Sequence, residues 1–362
     1  MIYLDYASST PAAPEVIAEF CRVEREFHAN PLSVHESGQA AKDELDRITA
    51  RTAELLGAKS PEVLFTSGAT EANRLAVGGL ALASRHAGKH ILTSCLEHPS
   101  VSGPLAALKE QGYEIEMADI LSNGTVDLEH IAALLRRDTV LLTIPWVDSE
   151  LGAIQPVSDI VKILKQYPNC RLHVDAAQAV GKVSVSFEGI DTLSFSPHKF
   201  HGICGSGVLL QKENVASPGG TPALGLAASA LKALELATEQ QDERLKKVQA
   251  LRLHVIQAMK RYPDVCINSP MEGSPNILNL SVAGVKGDEF QTTLNRQGIY
   301  VSVKSACSAP GTLSRPVFAV SKNKKTAMSS WRISFSHSTE MAEIETFLKV
   351  FDNERAKFLS EN

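Results

Sequence analysis

Three short segments carry side chains whose chemistry is unusual for their place in the chain. In SFSPHKFHG at 194–202, Lys199 directly follows an apolar run and has Ser196 and His198 beside it. Ligands of open α/β sheets sit at strand ends, and a lysine drawn out of water there has a depressed pKa and forms a Schiff base with an aldehyde. Alone, the segment reads more readily as a surface lysine after an edge strand. The second segment, TSGATEAN at 66–73, joins a strand to a helix through small residues, so that backbone N–H groups and a helix N-terminus can cradle a phosphate. Its alternative is an ordinary turn capped by Thr70. In the third, HVDAAQAVGK at 173–182, Asp175 ends a strand and Gln178 follows three residues later. A carboxylate there would keep a pyridinium nitrogen protonated and deepen the electron sink of pyridoxal phosphate (PLP); a helix N-cap is the plainer reading.

The elements that must position these residues follow from patterning. From Val63 onward, short apolar runs alternate with helical segments. VLFT (63–66), HILTS (90–94), YEIEMA (113–118), TVLLTIPW (139–146), RLHVDA (171–176), TLSFS (192–196) and GVLLQ (207–211) read as strands of a doubly wound, largely parallel sheet. Helices are expected over 70–88, 101–112, 127–137 and 157–168, of a length that suits βαβ crossovers. After Pro222 comes a long helical stretch, and from Asp264 a second set of short strands and helices forms a small α+β unit. The boundary falls inside or just after the long helix, near Arg261. This gives a large unit over 13–261 and a small one of 1–12 with 262–362.

Composition bounds the class. The 362 residues are 44% hydrophobic and 21% charged, which suits a folded domain with a sizeable core and excludes disorder. Lys+Arg 36 against Asp+Glu 41 leaves a net charge of -5, which disfavours a dedicated nucleic-acid binder. No apolar run reaches membrane-helix length and the start lacks signal-peptide features, so a cytoplasmic chain beginning near Met1 is expected. The six cysteines, Cys21, Cys95, Cys170, Cys204, Cys266 and Cys307, show no CxxC or metal-ligand spacing and read as free thiols. Cys307 lies in a small polar segment, VKSACSAPGTLSR, between Lys304 and Arg315, where nearby cations favour a thiolate.

In this order and spacing, the three segments resemble the class V group of PLP enzymes of aspartate-aminotransferase fold (fold type I), and closely resemble cysteine desulfurases of NifS/IscS type. YLDYASST (3–10) stands where that family has YLDNAATT, NPLSVHESGQAA (30–41) resembles NPSSxHxxGxxA, and LEHPSV (96–101) resembles EHxSV. ELGAIQPV (150–157) resembles ETGxIQPI, SACSA around Cys307 resembles SACSS, and WRISFS around Arg332 resembles the late RxSL segment. The resemblance implies a homodimeric enzyme that takes L-cysteine to L-alanine and leaves the sulfur on Cys307 as a persulfide. The sulfur then passes to an acceptor protein, an iron–sulfur scaffold or a thiolation enzyme. By the same resemblance Lys199 holds PLP, Asp175 pairs with the ring nitrogen, Gln178 with the ring hydroxyl, and His98 stacks on the ring and shuttles protons. Ala69, Thr70, Ser196 and His198 hold the phosphate, Thr221 completes that site across the dimer, and Arg332 takes the substrate carboxylate.

Two departures stand out. The family's NNETG is DSELG here, so Ser149 replaces an asparagine that reaches toward ring oxygen and substrate. The glycine-rich segment GGGQExGxRSGT is shortened to Gly219, Gly220 and Thr221. Alternatives are a class V transaminase, a selenocysteine lyase, or a degenerate member that binds partners without turnover. Cys307 argues against the transaminase alone.

Overall fold

The computed structural model describes residues 1–58, 62–217, 219–304 and 312–361. Cys307 lies outside the described residues. Seven strands form one sheet in the order Glu62–Thr66, Gly207–Gln211, Thr192–Phe195, Arg171–Asp175, Thr139–Pro145, His90–Ser94 and Glu114–Ala118. Gly207–Gln211 runs antiparallel to both of its neighbours, and the remaining pairs are parallel. Every residue of Thr139–Pro145 and His90–Ser94 is buried, which is why these strands read as continuous apolar runs rather than alternating ones.

The helices connecting the strands include Ala69–Ala83, Pro99–Glu110, Leu128–Leu134 and Val157–Leu164. The first of these corrects the sequence reading of its start: Gly68, not Thr70, is the N-cap. Glu71 decides this, because its carboxylate accepts from the backbone N–H of Ser67 at 2.7 Å and closes the first turn from within. Thr70 therefore sits inside the turn with its amide directed out of the helix end.

The long helical stretch divides at Gln240 into Leu224–Glu239 and Gln241–Met259. The first half buries Ala227 and Leu231 beside the large sheet, while the second sends Val248, Leu251 and Val255 into a separate core with Phe290, Trp331, Phe347 and Phe351. A three-stranded antiparallel sheet, Val265–Ile267, Ile277–Val282 and Ser330–Ser334, backs that core. The chain's opening strand, Ile2–Tyr3, pairs in parallel with Ile299–Tyr300, and Leu4 is buried in the same core. Burying such side chains, at roughly 1.5–3 kcal/mol each, anchors the opening segment. Residues 7–10 are thereby drawn across the carboxyl ends of the large sheet: Ala7 N–H donates to Ser334 Oγ at 2.8 Å, and Thr10 N–H to the His198 carbonyl at 2.8 Å. Among the described residues no helix is long and apolar enough to cross a membrane.

Candidate active site

Lys199 ends the single 3-10 turn Pro197–Lys199 that follows the strand Thr192–Phe195. The turn reverses the side chain over the sheet's carboxyl edge, where its Nζ donates to the carbonyls of Ala7 at 3.0 Å and Ser8 at 2.7 Å. The lysine is therefore not the surface residue that its segment alone suggested. It lines a cavity of about 440 Å³, within the range of cofactor and small-molecule sites, together with Ala69, Thr70, His98, Ser149, Asp175, Gln178, His198 and Arg332. Nine of the twelve site residues expected from the sequence thus meet at one place.

Asp175 ends its strand with Oδ1 accepting from Ala177 N–H at 2.9 Å, but a turn rather than a helix follows, so it is not the helix N-cap of the plainer reading. Its other oxygen accepts from Asn73 Nδ2 at 2.8 Å. Asn73, fully buried on the first turns of Ala69–Ala83, also donates to Ser100 Oγ at 2.8 Å, and its Oδ1 accepts from His173 Nε2 at 3.0 Å and from Ser194 Oγ. The TSGATEAN segment by itself gives this asparagine no role; the available signal is an amide among alanines on a helix's buried face. His98 is the N-cap of Pro99–Glu110, and its Nδ1 accepts from Ser100 N–H at 3.1 Å. With Nδ1 engaged as an acceptor, the neutral ring carries its proton on Nε2. Burial is the main cause of a lowered His98 pKa, and Lys199 also lowers it while Asp175 opposes them.

At the other end of the cavity lies the N-terminus of Ala69–Ala83, whose first amides have no partner within the helix. The close approach of the next strand requires glycine: a Cβ on Gly207 would lie 2.3 Å from the Gly68 carbonyl carbon. His198 stands beside this end. Ser196, by contrast, is fully buried and does not line the cavity; its Oγ donates to the Ser206 carbonyl at 2.7 Å and so accepts from His198 Nδ1 at 2.8 Å. Ser196 therefore fixes the tautomer and tilt of His198. Burial, then the nearby Lys199 and Lys182 cations, push His198 down to about 4.

Arg332 is only 2% exposed, and its Nη2 pairs with Asp5 Oδ1 at 2.8 Å while Nη1 donates to the Ser149 carbonyl at 2.7 Å. Its Nε has no hydrogen-bond partner among the described residues. Thr221 does not line the cavity; it is exposed, at 3.5 Å from Asn30 Nδ2. A second cavity of about 410 Å³ shares Leu96, His98 and Ser149 with the first, and Lys304 and Arg315 line it. It holds Glu97, 4% exposed, with neither carboxyl oxygen hydrogen-bonded among the described residues. Burial, more than repulsion by Asp175, pushes Glu97 up to about 8. Asp148 beside it is raised to about 7, by burial and then by Glu150.

A mostly parallel sheet whose carboxyl ends bring together a lysine amine, a carboxylate and a helix N-terminus defines an α/β protein of the PLP-dependent transferase class. The chain belongs to the aminotransferase class-V family, which it matches over residues 2–218 and 217–347. It is 36% identical over 326 residues to the cysteine desulfurase IscS of Dictyoglomus turgidum, covering 85% of this chain and 82% of that one. Its structure is similar to that of a NifS-like protein, with a TM-score of 0.90 at 29% identity and full coverage of both chains. It is also similar to SspA in complex with cysteine, with a TM-score of 0.80 at 27% identity over 92% of this chain and 99% of the other.

Proposed function

We propose that this chain is a PLP-dependent cysteine desulfurase that converts L-cysteine to L-alanine and delivers the sulfur to an acceptor protein, an iron–sulfur scaffold or a thiolation enzyme. The convergence of Lys199 Nζ, Asp175 and the N-terminus of Ala69–Ala83 on one cavity carries this reading. The donor set suits the cofactor at each end. Free helix-end amides at Ala69 and Thr70, with His198 held by Ser196, suit a phosphate; Asp175 suits a pyridinium nitrogen, and Lys199 an aldehyde. When bound, the cofactor supplies an electron sink for charge that develops at the substrate carbon.

The protein's own groups supply the rest. Asp175, held by Asn73 and Ala177, keeps its charge directed at the ring nitrogen. The Arg332 guanidinium takes the substrate carboxylate in place of part of its Asp5 pairing. Lys199 Nζ, released from the Ala7 and Ser8 carbonyls, moves the proton at the substrate carbon, and His98 presents Nε2–H toward the substrate. Cys307, assigned on sequence grounds, attacks the substrate sulfur as a thiolate. The C–S bond breaks, an S–S bond forms on Cys307, and a proton completes the methyl group of alanine. The same reading makes the active species a dimer in which the exposed Thr221 reaches the partner's phosphate site, and divides the chain into a unit over 13–261 and a second of 1–12 with 262–362.

The test is reconstitution with PLP followed by borohydride reduction and peptide mapping, with alanine release from cysteine measured alongside. A tag on Lys199, loss of tag and turnover in Lys199→Ala, and cysteine binding without alanine release in Cys307→Ser are expected. A tag on Lys182 or Lys304, or wild-type turnover in Cys307→Ser, overturns the assignment.

A further inference from the structure

One partly buried basic group lies next to the cavity and has no place in the reaction above. Lys182, four residues after Gln178 on the turn that follows Arg171–Asp175, donates from Nζ to Gln178 Oε1 at 2.7 Å. The other end of the same carboxamide, Gln178 Nε2, donates to the Ala7 carbonyl at 2.8 Å. That carbonyl also receives Lys199 Nζ, so one chain of hydrogen bonds runs from Lys182 through Gln178 and Ala7 to Lys199. The two outer partners admit one orientation of the amide. A carbonyl can only accept, so Nε2 must face Ala7; Nζ donates, so Oε1 must face Lys182. The second hydrogen of Nε2 is left over at a side chain that lines the cavity.

We propose that Lys182 is a positioning residue: it holds the Gln178 carboxamide so that an N–H, and never the carbonyl oxygen, is offered to the ring oxygen of the bound cofactor. The inference rests on the PLP reading above. Gln178 polarised by Lys182 is a better donor, and donation to an oxygen that carries negative charge keeps it deprotonated. Burial, then the neighbouring cations Lys199 and Arg332, hold Lys182 well below the ordinary lysine pKa. The other titratable groups facing it across the small cavity behind Lys199 are Tyr6, His201, Arg244 and His337, and no carboxylate lines that cavity among the described residues. Lys182 is thus held by its bond to Gln178 rather than by an ion pair.

The experiment follows the visible absorbance of the Lys199-bound cofactor against pH in the holoenzyme, with PLP dissociation measured beside it. Losing the Lys182 donor makes the ring oxygen more basic, which moves the colour transition upward. Lys182→Met should raise the midpoint by roughly one pH unit and speed PLP loss about tenfold, while Lys182→Arg should stay near wild type. Gln178→Ala should shift it in the same direction, and it serves alone if Lys182→Met does not fold. A wild-type midpoint in Lys182→Met or in Gln178→Ala overturns this inference while leaving the PLP assignment intact. Failure of the wild type to take up PLP on Lys199 overturns both.

Discussion

Asn73 is the residue on which the site's geometry depends most, and its removal has a calculable cost. It is fully buried and makes four hydrogen bonds, two as donor to Asp175 and Ser100 and two as acceptor from His173 and Ser194. At about 1 kcal/mol each, Asn73→Ala should cost about 4 kcal/mol, a large share of the roughly 5–15 kcal/mol that holds a protein folded. With a urea slope of about 3 kcal/mol per molar, the unfolding midpoint should fall by about 1.3 M. The functional effect is separable, since one oxygen of Asp175 loses its charge-assisted partner and PLP affinity in the folded variant should fall about tenfold. Asn73→Asp distinguishes loss of a bond from loss of shape. It sets a second carboxyl oxygen about 2.8 Å from Asp175, so PLP binding should be weaker than in the alanine variant and recover as the pH falls and one carboxyl takes a proton. Urea denaturation of the apo form and spectrophotometric PLP titration are the assays. An Asn73→Ala protein whose midpoint and PLP affinity match wild type would refute the claim that this amide organises the site.

Three further outcomes are expected. Ser149 joins the site through its backbone carbonyl, which accepts from Arg332, so Ser149→Asn should leave PLP uptake intact and desulfuration unchanged or faster; a sharp loss of alanine release would give the serine a role of its own. His198 is held near 4 and is neutral at pH 7, with Nδ1–H committed to Ser196, so a phosphate at its free nitrogen must bring a proton. PLP affinity should therefore fall as the pH rises through the His198 pKa of the loaded protein, a slope that calorimetric titration in buffers of different ionisation heat would register and that His198→Gln should abolish. Glu97 has a folded pKa of about 8 against an ordinary 4.5, so the folded state holds its proton longer and stability drops as the pH rises across that window. Glu97→Gln should flatten the decline of Tm from pH 6 to pH 9, and an unchanged decline would show that the buried carboxyl is not its source.

What the sequence determined by itself is local. The continuous apolar runs specify strands buried on both faces, and the small residues of TSGATEAN admit a close turn against Gly207. A lysine, an aspartate and a helix start placed directly after strands must gather at one sheet edge once those strands lie parallel. The resemblance to class V enzymes drew on the same segments. Tertiary structure alone decided which atoms meet. Asn73 reaches Asp175 from 102 residues away, Ala7 and Ser8 receive Lys199 from nearly 200 away, and Asp5 pairs with Arg332 across 327. It also moved Ser196 out of the cavity to steady His198, left Thr221 on the surface, and passed the helix cap from Thr70 to Gly68. Hydrogen-bond direction and burial depend on where separate strands and the opening segment come to rest, and no periodicity within a single segment encodes that.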